Sequence, residues 1–377
     1  MSAHDSAAPA PLAASLTPPA PRRGLGQALL WACFLGCSWT WVIGMFLPVM
    51  MLRDFGVMGW VAFAVPNVLG AAAMGFVLAR PETSWALTRK HPGALRAFAS
   101  VTIAYQIYVV FWLFSGLWLA LIWVIPWLVL DRVRREKLGR WLPPLAVAVA
   151  VLSWGAFSMA GRLDGAWLDV GFSPARDVLP DRLAPTDLWF LAPGYLAGFL
   201  LCPYLDPTFH RARYSTTPRT GQAAFALGFV VVFGSMILFS LMYAGLLRPL
   251  INQSPGFTLA PPWKVLLALH IGAQVAFTLM AHSRERFAVV DPKDRAPLVW
   301  FALLIVAALA WATVSRLSPA TLGSLTLGEV GYRAFLLIYG VFFPGYALIC
   351  MLPPLKQLLQ KPLDPAPHPH PANPPAP

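Results

Sequence analysis

The sequence predicts an all-α protein that crosses a lipid bilayer many times. Three observations carry that expectation. Of 377 residues, 58% are hydrophobic and 12% charged, about half the charged fraction of an ordinary soluble domain. Apolar segments long enough to span about 30 Å of hydrocarbon recur along nearly the whole chain. The basic residues that give a formal net charge of +12 gather in short loops between those segments, the pattern of topology determinants rather than of a nucleic-acid surface.

Hydropathy places ten helices near 26-50, 57-79, 95-114, 117-131, 142-161, 187-205, 221-247, 263-282, 296-315 and 330-352. The apolar run from 93 to 130 would measure roughly 57 Å as one helix, nearly twice the core thickness, so a break is expected near Ser115 and Gly116. Charge parity agrees. With ten helices, 20 of the 28 Lys and Arg residues fall on one side, including the run DRVRREKLGR, and 8 on the other. By the positive-inside rule the richer side, which holds both termini, is cytoplasmic, in an inner (cytoplasmic) membrane.

The domain reading is therefore a single membrane unit, 26-352, between Ala/Pro-rich tails at 1-25 and 353-377 that lack the apolar content to fold. Arg22 and Arg23 precede an apolar span too long for a signal-peptide core. Cys33, Cys37, Cys202 and Cys350 all lie in apolar segments, so neither a disulfide framework nor a zinc cage is expected. His368 and His370 belong to a solvated Pro-rich tail. The loop between helices five and six mixes Asp164, Asp169, Asp177, Asp181 and Asp187 with three Arg and reads as solvated.

Five helices per half make the two halves run in opposite directions, and inverted halves with interrupted helices at matching positions are a transporter signature. Helices one and six match. Helix one carries Gly36, Cys37, Ser38 and Thr40, then Gly44 and Pro48; helix six carries Pro193, Pro203 and Pro207. Freed carbonyls in helix one would meet a cation or polar solute, although Gly36 and Ser38 equally suit close helix packing. Asp206 lies between two prolines with His210 four residues on, either a proton-accepting group at membrane depth or a helix cap. Other polar residues within spans are Asn67, Tyr105 and Gln106, and His270, Gln274 and Thr278, which share a helix face at a spacing of four. Arg333 is expected to snorkel to the external interface. Trp39 and Trp41 are candidates to stack on a solute, whereas Trp112 and Trp118 are expected at the interface or toward lipid.

Two stretches carry a family resemblance. GCSWTWVIGMFLPVMMLRDFGVMGWVAFAVPNVLGAAAMGFVLA resembles the first and second core helices of the sodium:solute symporter family, which has the LeuT-type fold of five plus five inverted helices. CPYLDPTFHRARYSTTPRTGQAAFALGFVVVFG resembles that family's sixth and seventh. His210 and Arg211 stand at its Gln-Arg pair. The resemblance implies a secondary transporter working by alternating access, with a small solute held between helices one and six. Ser38, Thr40, Trp41 and Gly44, with Tyr195, Tyr204 and Asp206, would line the site, joined by Gln106 and Gln274. Thr278 stands where sodium-coupled members complete an ion site, but without their neighbouring hydroxyl, which leaves sodium and protons both open as the coupling cation. No other cofactor, no metal cluster and no nucleic-acid partner are expected; the bilayer and a small solute are. The alternatives are a membrane-embedded enzyme using Asp206 and His210 as acid and base, and a non-transporting sensor or assembly subunit.

Overall fold

The computed structural model describes residues 23–114, 135–164, 185–252, 258, 260–287, 296–323 and 325–360. The expected fourth helix, Trp118, most of the loop between helices five and six, and most of both tails lie outside the described residues. Eight helices among the described residues are long and apolar enough to cross a membrane. Large apolar side chains such as Trp189, Phe190, Trp300, Leu303 and Val306 stand exposed on them. Apolar surface on that scale is what a bilayer covers, and the chain is a polytopic α-helical membrane protein.

The first expected helix is two pieces. Helix α1 (Leu25–Trp39) stops at Thr40 and Trp41, whose backbones leave the helical region, and α2 (Val42–Val77) begins directly after. Helix α2 is itself bent. At Gly56, φ is +67° and ψ −157°, a combination open to little besides glycine, and there the chain turns from the rest of helix one into helix two. An amphipathic helix α3 (Pro81–Lys90) follows, with Glu82 in its first turn and Arg89 and Lys90 in its last, matching the helix dipole. Hydropathy does not mark it because it is short and polar on one side.

Helix α4 (Pro92–Leu113) ends with Phe114 extended, next to the division expected at Ser115 and Gly116. Helix α5 is Arg135–Asp164. Helix α6 (Leu188–Leu201) tightens into a 3₁₀ turn, Cys202–Leu205, and breaks at Asp206 before the short α7 (Pro207–Tyr214). Of the three prolines in this region, Pro193 is absorbed within α6, while Pro203 and Pro207 flank the break, because proline is tolerated in a helix's first turn.

Helix α8 runs Pro218–Ala226, passes through a π-helical stretch Leu227–Phe233 and continues over Gly234–Ile251. Helix α9 is Pro261–Leu267, π-helical Ala268–Gly272 and Ala273–Phe287; α10 is Ala296–Leu317. A two-residue hairpin, Thr321–Leu322 with Leu325–Thr326, leads into α11. That helix runs Leu327–Leu337, Ile338–Phe342 in π form, Phe343–Tyr346, a second π stretch Ala347–Met351, and on to Gln360, past the expected end at 352.

Helix α1 sits at the centre, packed against α5, α7, α8 and α9; α2 lies on α6 and α8, α4 on α9 and α10, and α6 on α11. At the α1–α8 crossing, a Cβ on Gly36 would come within 2.6 Å of Val232, so Gly36 is a packing residue, the plainer of its two expected roles. Arginines counted above as loop charges have structural work as well. Arg213 is buried and donates from Nε to the Leu78 carbonyl at 2.5 Å and from Nη2 to that of Ala79, closing the open carbonyl end of α2. Arg286 ties Ser100 of α4 to the Pro297 carbonyl, 2.7 Å to each. Trp112, expected toward lipid, is buried against Tyr108 and Tyr332, because α4 is an inner helix.

Gly56→Val forces a branched side chain into φ +67° and is expected to cost about 1–3 kcal/mol. Thermal melting in detergent, with Gly155→Ala, a helical position where a Cβ meets nothing within 4 Å, as the control, measures the loss.

Candidate functional site

Breaking a helix at membrane depth frees carbonyls and N–H groups that hydrocarbon cannot satisfy. The residues around both breaks answer that demand. At the end of α1, the Gly36 carbonyl accepts from the Thr40 amide at 2.9 Å and from its hydroxyl at 2.7 Å. The Cys37 carbonyl accepts from Thr278 Oγ1 at 3.2 Å. Where the chain resumes, Tyr332 donates to the Val42 carbonyl at 3.0 Å and Tyr243 to that of Met45 at 2.9 Å.

At the second break Asp206 is the N-cap of α7. Its Oδ1 accepts from the Thr208 amide at 2.8 Å and from the Thr208 hydroxyl at 2.7 Å, and it is fully buried. Capping, one of its two expected roles, uses only one carboxylate oxygen. The Thr208 hydroxyl also lies 3.1 Å from Ser38 Oγ, and the rings of Trp39 and Phe209 are 4.9 Å apart. The two breaks therefore touch.

A cavity of about 420 Å³ opens beside this joint, within the roughly 300–1,000 Å³ typical of ligand sites. Its walls come from the first break (Trp39, Trp41, Gly44), from α2 (Asn67), from α6 (Gly194, Tyr195, Gly198, Cys202) and from α11 (Arg333, Tyr339, Gly340). The π-helical stretch of α11 brings Tyr339 and Gly340 to it. Polar atoms are few, and Asn67 already accepts the Trp39 indole N–H at 2.7 Å. Phe190, Leu337 and Val341, also on the wall, are exposed apolar side chains, so the cavity communicates with the lipid-facing surface between α6 and α11.

An aromatic cluster forms part of its wall and continues behind it. Trp39 stacks parallel to Phe98, Trp41 packs on Tyr339 at 4.9 Å and Phe98 on Phe343 at 5.1 Å. The Tyr339 hydroxyl is 2.8 Å from Thr102 Oγ1.

Of the residues expected to line a solute site, Trp41, Gly44 and Tyr195 line the cavity. Ser38, Thr40 and Asp206 lie at the joint of the breaks. Tyr204, Gln106 and Gln274 are buried away from the cavity wall. The Tyr204 carbonyl accepts from His210. Gln274 donates to Ser153 at 3.0 Å, and Ser153 in turn is 3.0 Å from His270 Nδ1, a separate polar chain between α5 and α9. Gln106 keeps both ends of its amide without a hydrogen-bond partner among the described residues. His210 is fully engaged. Its Nε2 faces the Tyr204 carbonyl at 2.8 Å, which only accepts, so Nε2 carries the proton and Nδ1 accepts from Ser84 Oγ at 2.7 Å. That leaves no free nitrogen for acid–base work, and Asp206 and His210 form no pair.

Sequence reasoning missed two features. His282 continues the stripe of His270, Gln274 and Thr278 by one more step of four, and its ring is fully buried 3.9 Å from Asp206 Oδ2. It escaped notice because it closes the apolar segment just before Arg284 and Glu285. The second is an ion-pair network at the far end of the first helix. Arg53 donates to Asp54 at 2.8 Å, to Asn252 at 2.9 Å and to both oxygens of Glu329. Arg333, expected to snorkel, instead donates to Asp54 at 2.7 Å and Glu329 at 2.9 Å, because two buried carboxylates need more than one cation. The network joins α2, α8 and α11.

Comparison with protein-family models finds no match, and no curated protein or solved structure matches the chain.

Arg53→Met removes one of the two described cations from the buried carboxylates Asp54 and Glu329 and is expected to cost about 3–5 kcal/mol. Adding Glu329→Gln should recover part of that loss by restoring neutrality. Unfolding in detergent of the wild type, the single and the double variant measures both effects.

Proposed function

We propose that this protein is a secondary transporter for a small solute with a largely apolar body, working by alternating access in a cytoplasmic membrane. The observation that carries this reading is the contact between two broken helices beside a 420 Å³ cavity. A broken helix costs stability unless its freed groups do something, and paired breaks at a midplane site are how transporters combine a fixed site with movable half-helices. The breaks at Thr40–Trp41 and at Asp206 support the five-plus-five inverted arrangement and the resemblance to the sodium:solute symporters. The apolar walls and the opening toward lipid favour a solute whose contacts are mostly dispersion and aromatic stacking on Trp39, Trp41 and Tyr339. The aromatic cluster that walls the cavity acts as a barrier behind the solute, and the Arg53 network is the hinge about which the outer half of helix one meets α11.

Orientation follows the basic loops, with both termini cytoplasmic. A fluorescent-protein fusion at the C terminus should therefore glow, and an alkaline phosphatase fusion there should be inactive; the reverse pattern would invert the topology.

Gly194 lines the cavity, and a Cβ there would meet only the Gly340 carbonyl, at 3.9 Å. Gly194→Ala should leave transport nearly unchanged, while Gly194→Leu should fill the cavity and reduce uptake at least tenfold without loss of folding. A solute screen by thermal shift, followed by flux into proteoliposomes, tests this. Wild-type protein that neither binds nor moves any solute class would remove the transport reading.

A further inference from the structure

Three groups meet where the breaks touch, and their hydrogen-bonding capacities do not match. Among the described residues, Asp206 Oδ2 has no hydrogen-bond partner, and neither nitrogen of His282 makes a well-formed one. Nε2 of that ring lies 3.9 Å from Oδ2, and the Ser38 backbone carbonyl lies beside the ring. Asp206, His282 and Ser38 are all fully buried. A neutral imidazole has one N–H for two acceptors, Oδ2 and the Ser38 carbonyl; with one more proton at the site, each acceptor has a donor.

We propose that Asp206 and His282 share one exchangeable proton at the joint of the two broken helices. Given the transporter reading, on which this role rests, that proton is the coupling ion. Binding changes the joint because its members come from different elements: His282 from α9, Ser38 from the carbonyl end of α1, and Asp206 from the start of α7. The carbonyl end of α1 favours positive charge beside it, and the amide end of α7 favours negative charge on Asp206. Protonated, the pair bridges α9 to both half-helices. Deprotonated, it leaves one of the two buried acceptors, the carboxylate oxygen or the Ser38 carbonyl, unpaired, which drives the joint to open to water.

The other titratable or charged groups around it are accounted for. On α7, His210 is held by Ser84 and Tyr204, and Arg211 pairs with Glu285 of α9 at 3.2 Å. Glu285, which also pairs with Arg284, adds negative potential at Asp206. Cys202 on the α6 side donates to the Tyr339 carbonyl at 3.2 Å, and the Tyr339 hydroxyl on α11 is bound to Thr102. Cys37 of α1 faces the Ala146 carbonyl. The facing residues of α4, Phe98 and Thr102, carry no charge. A sodium ion fits less well, because the imidazole fills the position where a further oxygen ligand would stand.

Infrared difference spectra of the reconstituted full chain between acidic and alkaline buffer test the proton site without any solute. An imidazolium band should titrate, vanish in His282→Gln, and shift its midpoint down by about one pH unit in Asp206→Asn, which removes the negative charge beside the ring. Thr208→Val, which keeps both members but removes a hydrogen bond to the charged carboxylate, should raise the midpoint; this variant keeps the test open if Asp206→Asn fails to fold. A band unaffected by His282→Gln or by Asp206→Asn, no band in the wild type, or a band removed by sodium at fixed pH would each overturn the proposal.

Coupling is read separately in proteoliposomes. Uptake should accelerate under an inward proton gradient, and Asp206→Asn should reduce that acceleration at least tenfold. Uptake indifferent to the gradient overturns the coupling role. A titrating band with no uptake of any solute upholds the proton site and overturns the transporter reading instead.

Discussion

Everything at the centre of this protein follows from one constraint: a backbone that leaves the helix inside hydrocarbon must find its hydrogen bonds within the protein. The last carbonyls of α1 show how it is met. Gly36 is answered from within the chain by Thr40, Cys37 by Thr278, and Ser38 lies near His282. Thr278 and His282 are four apart on α9, one turn, so a single face of one helix approaches two successive carbonyls of another, Thr278 donating to the first and His282 lying beside the second without a well-formed hydrogen bond. The stripe that reads in sequence as a polar path is thus first a support for the break. Across the joint, Asp206 supplies the acceptor that the first amides of α7 lack. A break in one helix is stabilised by residues of others, which is why the α1–α7–α9 contact cannot be rearranged piecemeal.

That coupling between elements also explains the aromatic cluster. Trp39 and Trp41 sit on either side of the break in helix one; Trp39 is wedged against Phe98 of α4 and Phe209 of α7, and Trp41 against Phe98 of α4 and Tyr339 of α11. Moving either half of helix one would require Phe98 to move with it. The cavity, which Trp39, Trp41 and Tyr339 line, and the polar joint at Asp206 are therefore built on the same elements. At the other end of helix one the Arg53 network resists separation, since each carboxylate there relies on arginines from two helices. The first helix is held at its end by charge and at its middle by rings and hydroxyls, with the break between them.

Much of this was legible in sequence. The spans were visible because hydrocarbon imposes a length and a polarity on them, and the two breaks because Gly, Ser and Pro at Gly36–Pro48 and Pro203–Pro207 are poor helix interiors. The position of the first break was not. Gly36 is the residue that suggests flexibility, yet it is packed under Val232 and the helix gives way at Thr40, where a hydroxyl can replace the lost bond. Polar residues were harder to interpret. Gln274 and His270 sit in the expected stripe but bond to Ser153, and Tyr204 lies near the break but turns away from the cavity. A side chain's partner depends on the facing helix, which a period in one segment does not specify. Arg333 and Trp112 differ from expectation for the same reason: α4 and α11 are inner helices on the sides that carry them.

Asp206 concentrates the question of what the architecture is for. As a cap it needs one oxygen, and a Ser, Thr or Asn would serve that role as well. A carboxylate adds a buried charge, which is expensive at this depth unless a cation, a proton or a donor meets its second oxygen. The groups nearest that oxygen include a histidine with no other well-formed hydrogen bond, on a helix whose preceding stripe residue already holds α1. A purely structural joint would have no reason to combine the costlier cap with an imidazole left short of partners. The combination makes physical sense where the number of protons at the joint changes as the half-helices move.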